Sequence, residues 1–432
     1  MKNYLAVLLM LTLLLLSAAC VNNVLNTPPP EHQPAIEAET PPEYQSPKTE
    51  ILKVDKTPAL PAKIAIITND VTQNEEEFRS AQELISKYGE EKVVHKVWPI
   101  KFPEEREKMI EIVQHLAADP QVKALIINQC VQNSLAAVDK LLKTRDDIFL
   151  VAINPIEDPA LIVQRFNLVL NADEIMMGEA MPIQAQKMGA KTFVHLSFPR
   201  HMTYKIISAR YELLKKNCEV LGMEFVTYTL HDPTANLPTT GSSVYLLEEI
   251  PKLVEQYGKD TAFFCTTCAL QVPLIKAVVD AGAIFPQPCC PSPFHGFPLA
   301  LGLVSGIIDK VYEAVLEPSC FDSVSNSDIL EMIIDQTIEK LAEKNMLGRV
   351  STWPVPISML CTYAAADYAF KWIEGEVPKE GIDIAVFEQC MADYANVQCF
   401  IRTLGTHAAD AELVEGEFPN WLFLREEYII YE

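Results

Sequence analysis

From Lys63 onward the chain alternates short, wholly apolar runs with longer stretches of helical period, and few architectures accommodate that rhythm. KIAIIT (63–68), VVHKVW (93–98), KALIIN (123–128), IFLVAIN (148–154) and FNLVLN (166–171) read as strands separated by helical segments. In PEEREKMIEIVQHLAAD (103–119), Met109, Ile112, Val113 and Leu116 share one helical face, with Pro103 and glutamates at its start. A helix over about 173–188 follows, and the alternation resumes with TFVHLSF (192–198), EFVTYTLH (224–231), AFFCTT (262–267) and AIFPQP (283–288). Helices over about 202–221, 245–257 and 269–281 join these runs. A strand that is apolar along its whole length is buried on both faces, so these strands belong to parallel sheets covered by helices on each side. The pattern predicts an α/β fold of two doubly wound parallel-sheet lobes. In such sheets ligands bind beyond the carboxyl ends of the strands, which places an interlobe cleft between them.

Residues 61–172 are expected to form lobe I and 173–300 lobe II, completed by parts of 300–432 and 345–432 respectively. Within that last third, Trp353-Pro354-Val355-Pro356 reads as an extended crossover, VQCFIRT (397–403) as a late strand and NWLFL (420–424) as core packing. Glycine is scarce, at 15 residues, and no glycine-rich phosphate loop is present.

The N-terminus carries a separate message. Lys2 precedes an apolar run from Leu5 to Leu16 that ends in Ser17-Ala18-Ala19-Cys20, the layout of a secretory signal over residues 1–20. The ending resembles a lipobox, which implies lipidation of Cys20 and tethering to a bacterial membrane from outside the cytoplasm. Residues 21–60, with PPPEHQP and TPPEYQSP, are too polar and prolyl to fold and read as an extended spacer. With 58 acidic against 35 basic side chains and a net charge of −23, nucleic acid is a poor partner.

The lipobox, spacer and two α/β lobes together resemble type I periplasmic binding proteins, the solute-binding components of ABC transporters. GAKTFVHLSF and HMTYKIISARYELLKKNCEVLGMEF resemble the second-lobe entry of that fold, a strand, a ligand-facing loop and a helix carrying Arg210. SFPRHM, FFCTTCALQVPLIKAVVDAG and CCPSPFHGFPLALG are similar to a family of uncharacterised bacterial lipoproteins assigned to it. The resemblance implies a binding protein rather than an enzyme, with a small-molecule ligand, an ABC permease as partner and no cofactor. It leaves open a sugar, nucleoside, amino acid or carboxylated vitamin as ligand, and a sensor without a transporter as an alternative role.

The strand-end rule names the polar groups that should face the cleft. In lobe I these are Asn69, Asp70, Asn128, Gln129 and Asn154; in lobe II they are Arg200, His201, His231, Asp232, Thr266, Thr267 and His295, with Phe294 as an aromatic face. Each amide could instead cap the following helix. Arg200 is suited to an anionic group on the ligand, or to a carboxylate of the protein itself.

The ten cysteines other than Cys20 fit either disulfides or buried free thiols. Cys130 and Cys268 each follow a strand, which raises a second reading: a cofactor-independent racemase or isomerase with one thiol from each lobe. Cys265-Thr-Thr-Cys268 has zinc-site spacing, and Cys289, Cys290 and His295 lie about twenty residues on. Against a metal, Cys265 sits inside a strand, and adjacent residues such as Cys289 and Cys290 do not easily point at one ion. No metal is therefore expected, and CCPSPFHGFP reads as a rigid wall of the cleft.

Overall fold

The computed structural model describes residues 62–71, 73–233, 239–303, 326–395 and 399–432, all within one compact unit, Pro58–Glu432. Cys20, the signal segment and the spacer lie outside the described residues.

The strands β1 (Lys63–Thr68), β2 (Val93–Val97), β3 (Val122–Asn128), β4 (Phe149–Ile153) and β5 (Leu168–Ala172) form parallel pairs in lobe I. Helices α1 (Glu75–Tyr88), α2 (Arg106–Ala117), α3 (Ser134–Leu141) and α4 (Pro159–Ile162) connect them. Alternate residues sort to opposite faces: Ile64, Ile66, Ala124 and Ile126 face one core layer, Ala65, Ile67, Leu125 and Ile127 the other. Burial on both faces is why these strands carry continuous apolar runs.

Lobe II begins with α5 (Glu174–Lys187), β6 (Thr192–Ser197), α6 (Lys205–Val220) and β7 (Glu224–Thr229). It continues with α7 (Thr239–Tyr257), β8 (Thr261–Cys265), α8 (Gln271–Ala281), α9 (Phe297–Leu301) and α10 (Asn326–Glu343). Its sheet has the order β7-β6-β8, all parallel. AIFPQP does not form the expected ladder strand. Ala262 bridges Ile284 and Phe285 bridges Val350, after which Pro286 and Pro288, lacking N–H groups, end the pairing.

The last third serves both lobes. The short β9 (Ser351–Thr352) extends lobe II, and α11 (Ile357–Glu374) then crosses to cover the lobe I sheet, with α12 (Ile384–Ala392) beside it. VQCFIRT becomes β10 (Phe400–Leu404), and NWLFL, read as core packing, is the middle of β11 (Phe418–Arg425). Trp421 lies opposite Val169, so β11 joins β5 in parallel, with β10 antiparallel at the edge. The finished order is β10-β11-β5-β4-β3-β1-β2. The chain then returns to lobe II as β12 (Ile429–Ile430) against β9.

The chain therefore passes between lobes at Ala172–Asp173, Trp353–Pro356 and Glu426–Tyr428. Arg402 clamps Asp173 in the first crossing, with Nε and Nη2 donating to its carboxylate at 2.6 and 2.8 Å. The second and third are tied together, because the Val355 N–H donates to Glu426 Oε2 at 3.1 Å. Glu426 is buried, and burial pushes its carboxyl up to about 8. Tyr428 donates to Gln287, whose amide in turn approaches Met177 Sδ at 3.2 Å. Among the described residues no helix is long and apolar enough to cross a membrane.

Candidate functional site

The carboxyl ends of β1, β3, β4 and β5 face those of β6 and β8 across a cavity of about 120 Å³. Of the residues named from sequence, Asn69, Gln129, Asn154, Arg200, His201, Thr266 and Thr267 line it.

On the lobe I side, Gln129 and Asn154 are held at φ of 52° and 46°, backbone that L side chains enter at a cost. Asn154 Oδ1 accepts from Ala172 N at 3.2 Å, fixing its amide to the first crossing. Asn69 donates to Gln129 Oε1 at 3.4 Å, while its own Oδ1 is buried without a partner. Phe102 and Ile156 add apolar surface.

The lobe II side is ionic. Arg200 Nε and Nη2 donate to the two oxygens of Asp232 at 2.7 and 3.0 Å, and Nη1 donates to Tyr204 at 2.8 Å. Arg200 is thus engaged by a protein carboxylate, the alternative left open by the sequence. His201 Nδ1 lies 3.1 Å from Thr266 Oγ1; burial, then the Arg200 charge, lowers its imidazole to about 3 and keeps it neutral.

Arg210, named from the sequence only as carried by α6, also lines the cavity. It is 1 % exposed, its Nη1 donates to Glu174 Oε2 at 2.7 Å, and its Nε and Nη2 have no partner. Both Arg210 and Glu174 line the cavity. The sequence signal was the helical face itself, since Ile206, Ile207, Leu214 and Cys218 are the other buried residues of that stripe. An arginine in an otherwise apolar stripe needs a buried partner. Close approach of α5 and α6 supplies it: a Cβ on Gly178 would lie 2.6 Å from the Arg210 carbonyl oxygen, so only glycine fits there.

Other expected residues lie elsewhere. Asn128, one position before Gln129, faces the opposite way and donates to Thr362 on α11. Asp70 accepts the backbone N–H groups of Gln73 and Asn74 through its own carbonyl, and Asp232 serves Arg200; neither lines the cavity. His231 instead packs edge-on to Tyr245, with ring centres 5.0 Å apart. Phe294 and His295 also lie off the cavity, Phe294 packing against the apolar cores. CCPSPFHGFP contributes its two cysteines instead: Cys289 and Cys290 line the cavity with Cys268.

The thiols form a cluster. Cys268 Sγ lies 3.4 Å from Cys289 Sγ and 3.6 Å from Cys290 Sγ, and Cys289 Sγ lies 3.6 Å from His295 Nε2. Adjacent cysteines therefore do reach one point, contrary to expectation. Hydrogen bonds from Cys289 and Cys290 lower the Cys268 thiol to about 6, while burial raises Cys289. Cys265 faces the outer core of lobe II, away from the cluster. Cys130 is fully buried in the α2–α3 core and does not line the cavity, so the two facing thiols needed by a racemase are not brought together. Burial raises the Cys130 thiol well above its ordinary value, which further removes it from acid–base work.

Ser292 in the same loop donates to Glu76 on α1, a buried contact that joins lobe II to lobe I. Glu76 is buried, and that burial lifts its carboxyl to about 7. Glu77 beside it is also raised by burial, and its Oε1 accepts from Asn74 at 2.7 Å.

A family model matches residues 62–317. The chain belongs to the DUF3798 family, proteins of unknown function. An uncharacterised protein of Treponema pallidum (strain Nichols) is 32% identical over 169 residues, covering 39% of this chain and 78% of that protein. Among solved structures, a Clostridium difficile 630 protein described provisionally as a transcriptional regulator superposes with a TM-score of 0.64 at 20% identity. It covers 86% of this chain and 99% of its own, and it shares the fold. A glucose-galactose binding protein from Geobacillus stearothermophilus has a TM-score of 0.45 at 12% identity, covering 73% of this chain and 93% of that one. The architecture is α/β and type I periplasmic-binding-protein-like, with two lobes of parallel-dominated sheet joined by three crossings.

Proposed function

We propose that this protein is an extracytoplasmic solute-binding lipoprotein. It closes two lobes on a small polar ligand and delivers it to an ABC permease, held at the membrane through Cys20. The observation that carries the reading is one cavity lined from both lobes by residues that carry buried, unpartnered polar atoms, Asn69 (Oδ1) on one side and Arg210 (Nε and Nη2) on the other. Unmade buried hydrogen bonds cost about 1–3 kcal/mol each, and a ligand bonding to both sides recovers that energy only when the lobes are together. Three crossings without a helix running through them suit a hinge.

The ligand chemistry follows from the walls. An anionic or strongly accepting group faces Arg210, and hydroxyl or amide groups face Asn69, Gln129 and Asn154. A cavity of about 120 Å³ is slightly smaller than one that holds benzene, which sets a scale of roughly half a dozen non-hydrogen atoms. Binding without turnover is part of the proposal, in keeping with the absence, among the described residues, of a thiol pair across the cleft.

Native mass spectrometry of protein purified without dialysis should show one co-purifying small acid or polyol. Adding it back to ligand-free protein should raise the Tm and contract the scattering profile. Arg210→Met should abolish both effects. A protein that carries no small molecule, and that shows no shift with panels of hydroxy acids, amino acids and sugars, would overturn the reading.

A further inference from the structure

The geometry points to a metal site in the lobe II wall: we propose that Cys268, Cys289, Cys290 and His295 bind one zinc ion. Their four ligand atoms all lie within 4.8 Å of one another. Zinc–thiolate bonds of about 2.3 Å in a tetrahedron put neighbouring sulfurs about 3.75 Å apart. The observed contacts of 3.4 and 3.6 Å from Cys268 to its two partners, and 3.6 Å from Cys289 to His295, match that edge. A disulfide needs sulfurs at about 2.05 Å and joins two of them, whereas here Cys268 contacts two others at nearly equal distance. An iron–sulfur cluster interposes its own atoms between its thiolates and holds them farther apart than a single zinc ion does, so the close sulfur spacing here favours zinc. Three soft sulfurs and an imidazole select zinc over magnesium or calcium.

The local fold shows how the ligands meet. Strand β8 ends at Cys265, whose side chain faces the outer core, and a short 3₁₀ turn over Cys268–Leu270 brings Cys268 to the cleft side. Gln271 fixes this turn, its amide donating to the carbonyls of Cys265 and Thr267 at 3.2 and 2.7 Å. Beyond Pro288 the chain bends at Cys289-Cys290, and the His295 N–H donates to Ser292 O at 3.3 Å, folding the loop back so that its imidazole meets Cys289. Gly296, at φ 83°, then starts α9 so close to α8 that a Cβ would lie 3.0 Å from Ile275 Cδ1.

Cys289 and His295 are buried, and Cys268 and Cys290 are half-buried at the cavity surface. The ion would therefore pin the loop after Phe285 to the end of β8, building the wall before any solute arrives. It would also set the position of Ser292, which bonds to Glu76 of lobe I. The site stands on the thiol and imidazole positions and does not require the solute-binding reading.

The test is metal content. Protein purified without chelator should carry one zinc per chain by inorganic mass spectrometry. Cobalt replacing it should give the intense charge-transfer absorption of cobalt–thiolate bonds. Cys289→Ser and His295→Ala should each lower zinc affinity at least tenfold, while Cys265→Ser leaves it unchanged. Chain that takes up no zinc or cobalt after reduction overturns the proposal, as does a native disulfide between Cys268 and either neighbour in non-reducing peptide maps. The wild-type stoichiometry decides even if a variant fails to fold. Failure of solute binding leaves the zinc count untouched, and failure of zinc binding leaves the co-purifying solute in place.

Discussion

On the lobe I side of the cleft, Gln129 and Asn154 reach the cavity from left-handed backbone at the ends of β3 and β4; on the lobe II side, Arg200 and Arg210 reach it through carboxylates that grip their guanidinium groups. The first wall is neutral and positioned by the main chain. The second is charged and positioned by side-chain pairs, which depend on how α5 packs on α6 and how the loop after β7 returns to Arg200. Strand ends are rigid, so amides placed there hold their geometry whatever the other lobe does. Ion pairs are tunable, and a cavity with one wall of each kind can keep its shape on one side while exchanging partners on the other.

The largest effects should appear where the two halves meet. Glu426 at the crossings and Glu76 against Ser292 have carboxyls raised from an ordinary 4.5 to about 8 and about 7. An acid whose value is raised on folding holds its proton more tightly when folded. Its contribution is fully present below pH 4.5 and is lost as pH rises through the folded value. Stability measured by chemical denaturation should therefore fall between pH 4.5 and 8, with Glu426 accounting for on the order of 4 kcal/mol of the change. Glu426→Gln keeps an acceptor for Val355 N–H and should flatten most of that slope. A variant with the parental pH profile would show that the crossing is not the titrating element.

Next in size is a contrast between the walls themselves. Arg210→Met leaves Glu174 without its ionic partner and should lower the unfolding free energy by about 3 kcal/mol. Asn69→Ala removes a 3.4 Å hydrogen bond on the opposite wall and should cost under about 1 kcal/mol. Equal costs would break the distinction drawn between the walls. Gly178→Ala should follow at about 2 kcal/mol, because the new methyl meets the main chain of α6 and pushes Arg210 away from Glu174. Its signature is a solute affinity that falls together with stability.

What was readable in the sequence follows the same division. Asn69, Gln129, Asn154, Arg200, His201, Thr266 and Thr267 were legible because the end of a parallel strand is a local feature of the chain. Asn128 was misplaced by a single residue, which is all that strand alternation needs to turn a side chain to the other face. Arg210 and Glu174 were not legible as a site, and the thiol cluster was visible in its spacing but set aside because Cys289 and Cys290 are adjacent. Each depends on elements far apart in sequence meeting at one point, such as Cys268 with Cys289. The two-lobe architecture could be read from the apolar runs. The pairing of β11 with β5 could not, because nothing in NWLFL distinguishes a buried strand from any other apolar run.

The smallest prediction bears on why the lobe I wall is built from the backbone. Holding Gln129 in a left-handed conformation costs roughly 1 kcal/mol relative to glycine, partly offset by the greater freedom of glycine in the unfolded chain. Gln129→Gly relieves that strain but gives up the long contact to Asn69 and the hydrogen bond to buried Glu77, so stability should change by less than about 1 kcal/mol. Asn154→Gly relieves a similar strain but gives up its hydrogen bond from Ala172 N, and should be destabilising. Solute affinity should fall in both. If Gln129→Gly instead destabilised the fold by more than 1 kcal/mol, its side chain would be serving the packing around Glu77 rather than the cleft. The neutral wall would then be a structural edge, and the discrimination between ligands would rest with lobe II alone.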